Sequence, residues 1–121
     1  MKNQPAPQIK PGDIDRIVRR DFQKSQFDAV LSLLGEYGFE KWHRESDRVK
    51  AAVLKLANGK LDALRRHLDV AKRDYRDVLV AAEYPEYARQ TSGSSRRLED
   101  TEKNRIIESD WEQYRAWLEK T

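Results

Sequence analysis

The chain has 121 residues, no cysteine, and 24 Lys+Arg against 21 Asp+Glu for a net charge of +3. That length suits one domain and excludes a catalytic domain with a separate cofactor module, and the lack of Cys excludes a disulfide framework, a thiol nucleophile and a thiolate metal site. Near-balanced charge permits contact with nucleic acid without requiring it.

Residues 1–12 read as a disordered tail, because Pro5, Pro7, Pro11 and Gly12 oppose a helix. The tail has no apolar segment of the kind that opens a secretory signal, and the longest apolar run, Val78 to Ala82, is far too short to span a bilayer. The expectation is a cytoplasmic protein that makes no membrane contact. A first helix is predicted from a cap at Asp13, with Ile14, Ile17, Val18 and Phe22 on one side. A second is predicted from Ser25, where Ser25 and Asp28 resemble a capping pair. It carries Phe27, Val30, Leu31 and Leu34 at helical spacing and ends between Gly35 and Gly38.

A third helix is expected from about Glu40 to Asn58, with Trp42, Val49, Ala52, Val53 and Leu56 as its apolar face and Asn58-Gly59 as its stop. The fourth is the most regular. Leu61, Leu64, Leu68, Ala71, Tyr75, Val78 and Ala82 alternate three- and four-residue steps, a heptad seam that predicts one continuous helix ended by Pro85. Its outer face pairs charges at i,i+4, among them Asp69 with Arg73 and Arg73 with Asp77. Residues 88–98 are small and polar and read as a flexible loop. The last helix, within 99–121, is expected at the latest from Asp110, because Ser109 and Glu112 form a capping box, although Thr101 offers an earlier start. The chain is thus expected to be all-α: a compact bundle of four to five helices in a single domain. It has a four-helix core over 13–87 and a C-terminal helix packed back on it.

Candidate chemistry is sparse. Glu40 and His43 have the spacing of two ligands on one helix face, but the matching position before His67 is Leu64. The second half of a carboxylate-bridged metal site is therefore missing, and no metal or other cofactor is expected. The serines fall mainly at expected helix starts or in the loop, and no Gly-x-Ser-x-Gly or phosphate-loop pattern occurs. An enzyme is not expected. A small carboxylate-dependent hydrolase stands only as a third reading, since sequence does not place Asp and Glu in space.

Two binding readings remain. Aromatic residues cluster near the chain's end and around Pro85, so the expected contact surface for another protein, or for a second copy, is Tyr84, Tyr87, Trp111 and Trp117 with Arg73 and Arg76. Trp111 and Trp117 sit about 240° apart around a helix, so one belongs to the core and the other to the periphery. The alternative is nucleic-acid binding through Arg16, Arg19, Arg20, Arg96 and Arg97.

The segments Lys55-Leu56-Ala57-Asn58-Gly59, Ala71 through Leu79, Ala82-Glu83-Tyr84-Pro85, Asp110 through Tyr114 and Trp117-Leu118 resemble a group of small bacterial proteins with no assigned activity. The likeness spans 13–121 and implies a bacterial, cytoplasmic, helical protein. It carries over no catalytic residue, cofactor or substrate. A regulatory, immunity-like or antitoxin-like role fits the size.

Overall fold

A helix that packs neighbours on several sides buries a wide face. Ser46–Ala57 does so: Val49, Ala51, Ala52, Val53 and Leu54 are all fully buried, and only Asp47 in it is exposed. The computed structural model describes residues 9–10, 12–37, 46–91 and 99–120. Among these the helices are α1 (Asp13–Asp21), α2 (Phe27–Gly35), α3 (Ser46–Ala57), α4 (Leu61–Arg73), α5 (Tyr75–Glu83), α6 (Pro85–Thr91) and α7 (Asp100–Glu119), with a single 3-10 turn at Lys24–Gln26 and no strand. The all-α expectation holds. Of the expected tail at 1–12, residues 1–8 and Pro11 lie outside the described residues, as do the Glu40–His43 pair with Trp42 and the loop residues 92–98.

α3 is the hub, with α5, α4 and α1 packed around it. Its alanines let those neighbours approach closely, while Val53 and Leu54 fill the gaps between them. α2 lies on α4 and α1, and α6 and α7 pair with each other and with α5. The core runs from Ile17 and Val18 of α1 through Val30 and Leu34 to Leu64, Leu68, Val78 and Ala82, and reaches Leu118 of α7.

Four sequence expectations change. First, the continuous fourth helix is two helices: Asp74 leaves helical geometry at φ −154°, ψ 97°. Its amide closes the last turn of α4 on the Val70 carbonyl at 2.8 Å, and its carboxylate accepts from the Arg76 amide at 3.1 Å to open α5. Asp is a weak helix former and a strong N-cap, so local chemistry beats the run of the seam. The seam still faces inward, with Leu64, Leu68, Ala71, Val78 and Ala82 buried. Second, Pro85 does end a helix, but it also begins α6, so residues 88–91 are helical rather than loop. Proline suits a first helical position because its missing N–H would have no partner there.

Third, the Ser109 cap is not used: α7 takes the earlier start the sequence allows and runs continuously over 20 residues, about 30 Å, with Ser109 in its middle. Nothing between Asp100 and Glu119 breaks a helix, and Asp100 and Glu102 suit the positive end of its dipole. Fourth, the expected caps shift. Gly12 precedes α1, with Asp13 its first residue, and Ser25 sits inside the 3-10 turn ahead of α2.

The α3–α4 turn is fixed by Asn58 at φ 51° and Gly59 at φ 77°. A Cβ on Gly59 would lie 2.7 Å from the Asp21 carbonyl oxygen at the end of α1. Backbone conformation and close approach therefore both require glycine here. Gly59→Ala is expected to cost about 1–3 kcal/mol in denaturant unfolding. An unchanged midpoint would show that α1 does not seat on this turn.

Candidate functional site

The break at Asp74 makes a cleft. Where α4 stops and α5 starts at a new angle, Tyr37, Ala71, Lys72, Arg73, Asp74, Tyr75 and Arg76 enclose an open cavity of about 300 Å³. Tyr37, just past the end of α2, is 1% exposed and belongs to the core. Tyr75 is half-buried on the seam. The charged residues among the lining are three cations and one carboxylate.

Two of those cations already hold a carboxylate of this chain. Lys72 Nζ reaches Glu36 Oε1 at 2.7 Å, tying α4 to the end of α2, and Arg76 Nε reaches Asp74 Oδ1 at 3.2 Å. The Arg76 side chain holds the Asp74 carboxyl below the ordinary carboxylate range, and Asp74 in turn raises Arg76. Both groups are exposed, so solvent screens the pair and it adds little to stability. Neither expected partner of Arg73 pairs with it: Asp77 lies beyond the break, which removes the i,i+4 geometry, and Asp69, four residues earlier within α4, does not reach it either. Arg73 is exposed and makes no ion pair among the described residues.

The six residues expected to form one contact surface do not come together in one place. Arg73 and Arg76 are at the cleft. Tyr84, Trp111 and Trp117 join through Tyr114 into one aromatic row. Tyr84 meets Trp111 edge-on at 4.8 Å, Trp111 lies 6.3 Å from Tyr114, and Tyr114 stacks on Trp117 at 5.6 Å. Trp111 is the core member of the tryptophan pair, at 2% exposed, and so presents no surface for a partner. Trp117 is half-buried, with the Arg20 guanidinium 5.2 Å from its ring centre. Tyr87 lies half-buried on α6, with the Lys103 ammonium 5.8 Å from its ring centre. Burial raises the Tyr84 hydroxyl and pushes that of Tyr114 well up from the usual tyrosine range.

Two of the arginines expected to meet nucleic acid, Arg16 and Arg20, are engaged within the fold. Arg16 donates to the Lys120 carbonyl at 2.8 Å and to the Leu118 carbonyl at 2.7 Å. Arg20 donates to the carbonyls of Trp117 and Lys120 at 2.7 and 2.6 Å, and holds Asp21 through two further bonds. Two guanidinium groups of α1 thus satisfy the carbonyls that α7 leaves unbonded at its C-terminus, where the helix dipole favours positive charge. Arg19 pairs with Asp15 at 2.8 Å and lies over Phe27. Arg96 and Arg97 are outside the described residues.

Among the described residues, the two buried carboxylates each hold helices together. Glu83, fully buried, is gripped through two bonds by Arg48 at 2.7 and 2.6 Å, joining α5 to α3. Asp110, 2% exposed, accepts from the amides of Glu86 and Tyr87 at 3.1 and 3.0 Å. It therefore caps α6 from α7, across 24 positions of sequence. Among the described residues no group of three or more His, Asp and Glu side chains is placed to hold a metal ion. His67 is half-buried, and burial lowers its pKa with help from neighbouring Arg66. No helix is long and apolar enough to cross a membrane, among the described residues.

Sequence reasoning singled out Arg73 and Arg76 but missed Tyr37, Lys72 and Asp74 as their neighbours. The signal was Asp74 itself, a capping residue set into a heptad seam. Comparison of the chain with protein-family models, curated proteins and solved structures finds no match.

Removing both guanidinium groups from the end of α7, in Arg16→Ala/Arg20→Ala, is expected to cost about 2–4 kcal/mol in denaturant unfolding, against about 0.5 or less for exposed Arg19→Ala. Equal effects would refute the capping role. Asp110→Ala is expected to lose about 1–2 kcal/mol and to speed hydrogen exchange at the Glu86 and Tyr87 amides, with Asp110→Asn milder because an acceptor oxygen remains. Unchanged exchange at those two amides would disprove the cap.

Proposed function

We propose that this chain is a non-catalytic binding module that takes part of another protein at the cleft between α4 and α5. The observation that carries the reading is Arg73, a solvent-exposed guanidinium with no ion pair among the described residues, at a cavity edged by half-buried Tyr75. Exposed arginine next to aromatic surface is the composition of protein-recognition hot spots. A bacterial, cytoplasmic setting and a regulatory, immunity-like or antitoxin-like role belong to the same proposal, supported by the resemblance and the size. Self-association through the cleft is the alternative occupant.

Two observations favour this over the other readings. Arg16 and Arg20 cap a helix and are not arrayed for phosphate, which takes two members from the nucleic-acid surface. The buried carboxylates Glu83 and Asp110 are each engaged in holding helices together, which supports a structural use for this pair over a hydrolytic one.

The test reverses the charge at the cleft. Arg73→Glu/Arg76→Glu is expected to keep the helical circular-dichroism signal and to weaken retention of the native partner, captured from the host, by on the order of tenfold or more. Retention equal to wild type, with the fold intact, would rule out the cleft as the contact surface.

A further inference from the structure

Resting on the reading of the cleft as a protein-binding site, we propose that its ligand is an acidic peptide segment, held by carboxylate side chains on Arg73 and Arg76 with their aliphatic stems against Tyr75.

The chain's own contacts indicate the matching chemistry. Two of the three cations in the cleft are already met by carboxylates, Lys72 by Glu36 at 2.7 Å and Arg76 by Asp74 at 3.2 Å. Arg73 lacks such a partner among the described residues. Arg76 gives Asp74 one side-chain donor, Nε, of the five N–H donors a guanidinium carries. A planar guanidinium fork takes a carboxylate through two parallel bonds, a geometry an ammonium does not reproduce.

Size and charge narrow the ligand further. A cavity of about 300 Å³ is at the small end of binding sites and suits one or two side chains. Binding to a nucleic-acid backbone needs a continuing row of cations along the strand. Here Asp74 sits in the lining itself, and Asp69 and Asp77 flank it in sequence. A doubly charged phosphate would meet Asp74 and Glu36 with more repulsion than a singly charged carboxylate does. Tyr75 is half-buried against the core, so its ring is held in place and offers apolar surface at little entropic cost.

The experiment titrates the full chain with a fluorescently labelled, N-acetylated hexaglutamate peptide, read by anisotropy. Hexalysine, inorganic phosphate and a single-stranded oligonucleotide serve as comparisons. Wild type is expected to bind hexaglutamate and not hexalysine. Arg73→Gln/Arg76→Gln, checked for an unchanged circular-dichroism spectrum, is expected to weaken binding on the order of tenfold. Arg105→Gln, an exposed charge on α7, is expected to change it by no more than about twofold.

Equal losses from Arg105→Gln and the cleft variant would show diffuse attraction and overturn the proposal. So would displacement of the peptide by equimolar phosphate, or tighter binding of the oligonucleotide. Partner retention that depends on Arg73 and Arg76, in a chain that ignores hexaglutamate, would overturn the acidic ligand and leave the protein-binding reading standing.

Discussion

Everything in this fold leans on α3, a helix with almost no outward face. Val49 and the run Ala51 to Leu54 are sealed from solvent, so α3 folds only when α1, α4 and α5 close around it. Such a helix has little stability alone, since its hydrophobic gain comes only on packing. The alanines set how near its neighbours come, and the α3–α4 turn sets where α4 begins. Gly59 in that turn touches the end of α1, so one glycine fixes the relation of three helices.

α7 is held differently. Its apolar contribution is concentrated in Trp111, Tyr114 and Leu118, and polar bonds fix its position along its length. In the middle, Asp110 satisfies the start of α6; at the end, Arg16 and Arg20 satisfy its own last carbonyls. Both devices supply partners for the backbone groups every helix leaves unbonded at its ends, and both draw the partner from a remote helix. Directional bonds of this kind specify register as well as adding stability. The buried Glu83–Arg48 pair does the same between α3 and α5.

The cleft follows from a conflict between two local rules. The seam from Leu61 to Ala82 calls for one straight helix, whereas Asp74 calls for a stop and a restart. The structure satisfies both. The apolar side chains keep their inward direction, and a one-residue break opens a hollow on the outside. The break also separates Arg73 from Asp77, which a continuous helix would hold four residues apart on one face. A binding site thus arises from a capping residue, with no insertion or loop needed.

The sequence by itself determined the helical class, the inward face of most helices (Leu31, placed on the α2 stripe with Phe27, Val30 and Leu34, is instead exposed), the stop at Asn58-Gly59 and the division of Trp111 from Trp117 into core and periphery. Those features depend on spacings of a few residues, which are legible along the chain. Tertiary structure decided the rest: which breaks are real, where α7 starts, and which arginines face solvent. Arg16 and the carbonyl it caps at Lys120 are 104 positions apart. No periodicity links them, so a basic helix face that reads as a phosphate surface becomes an internal clamp only when the two ends of the chain meet.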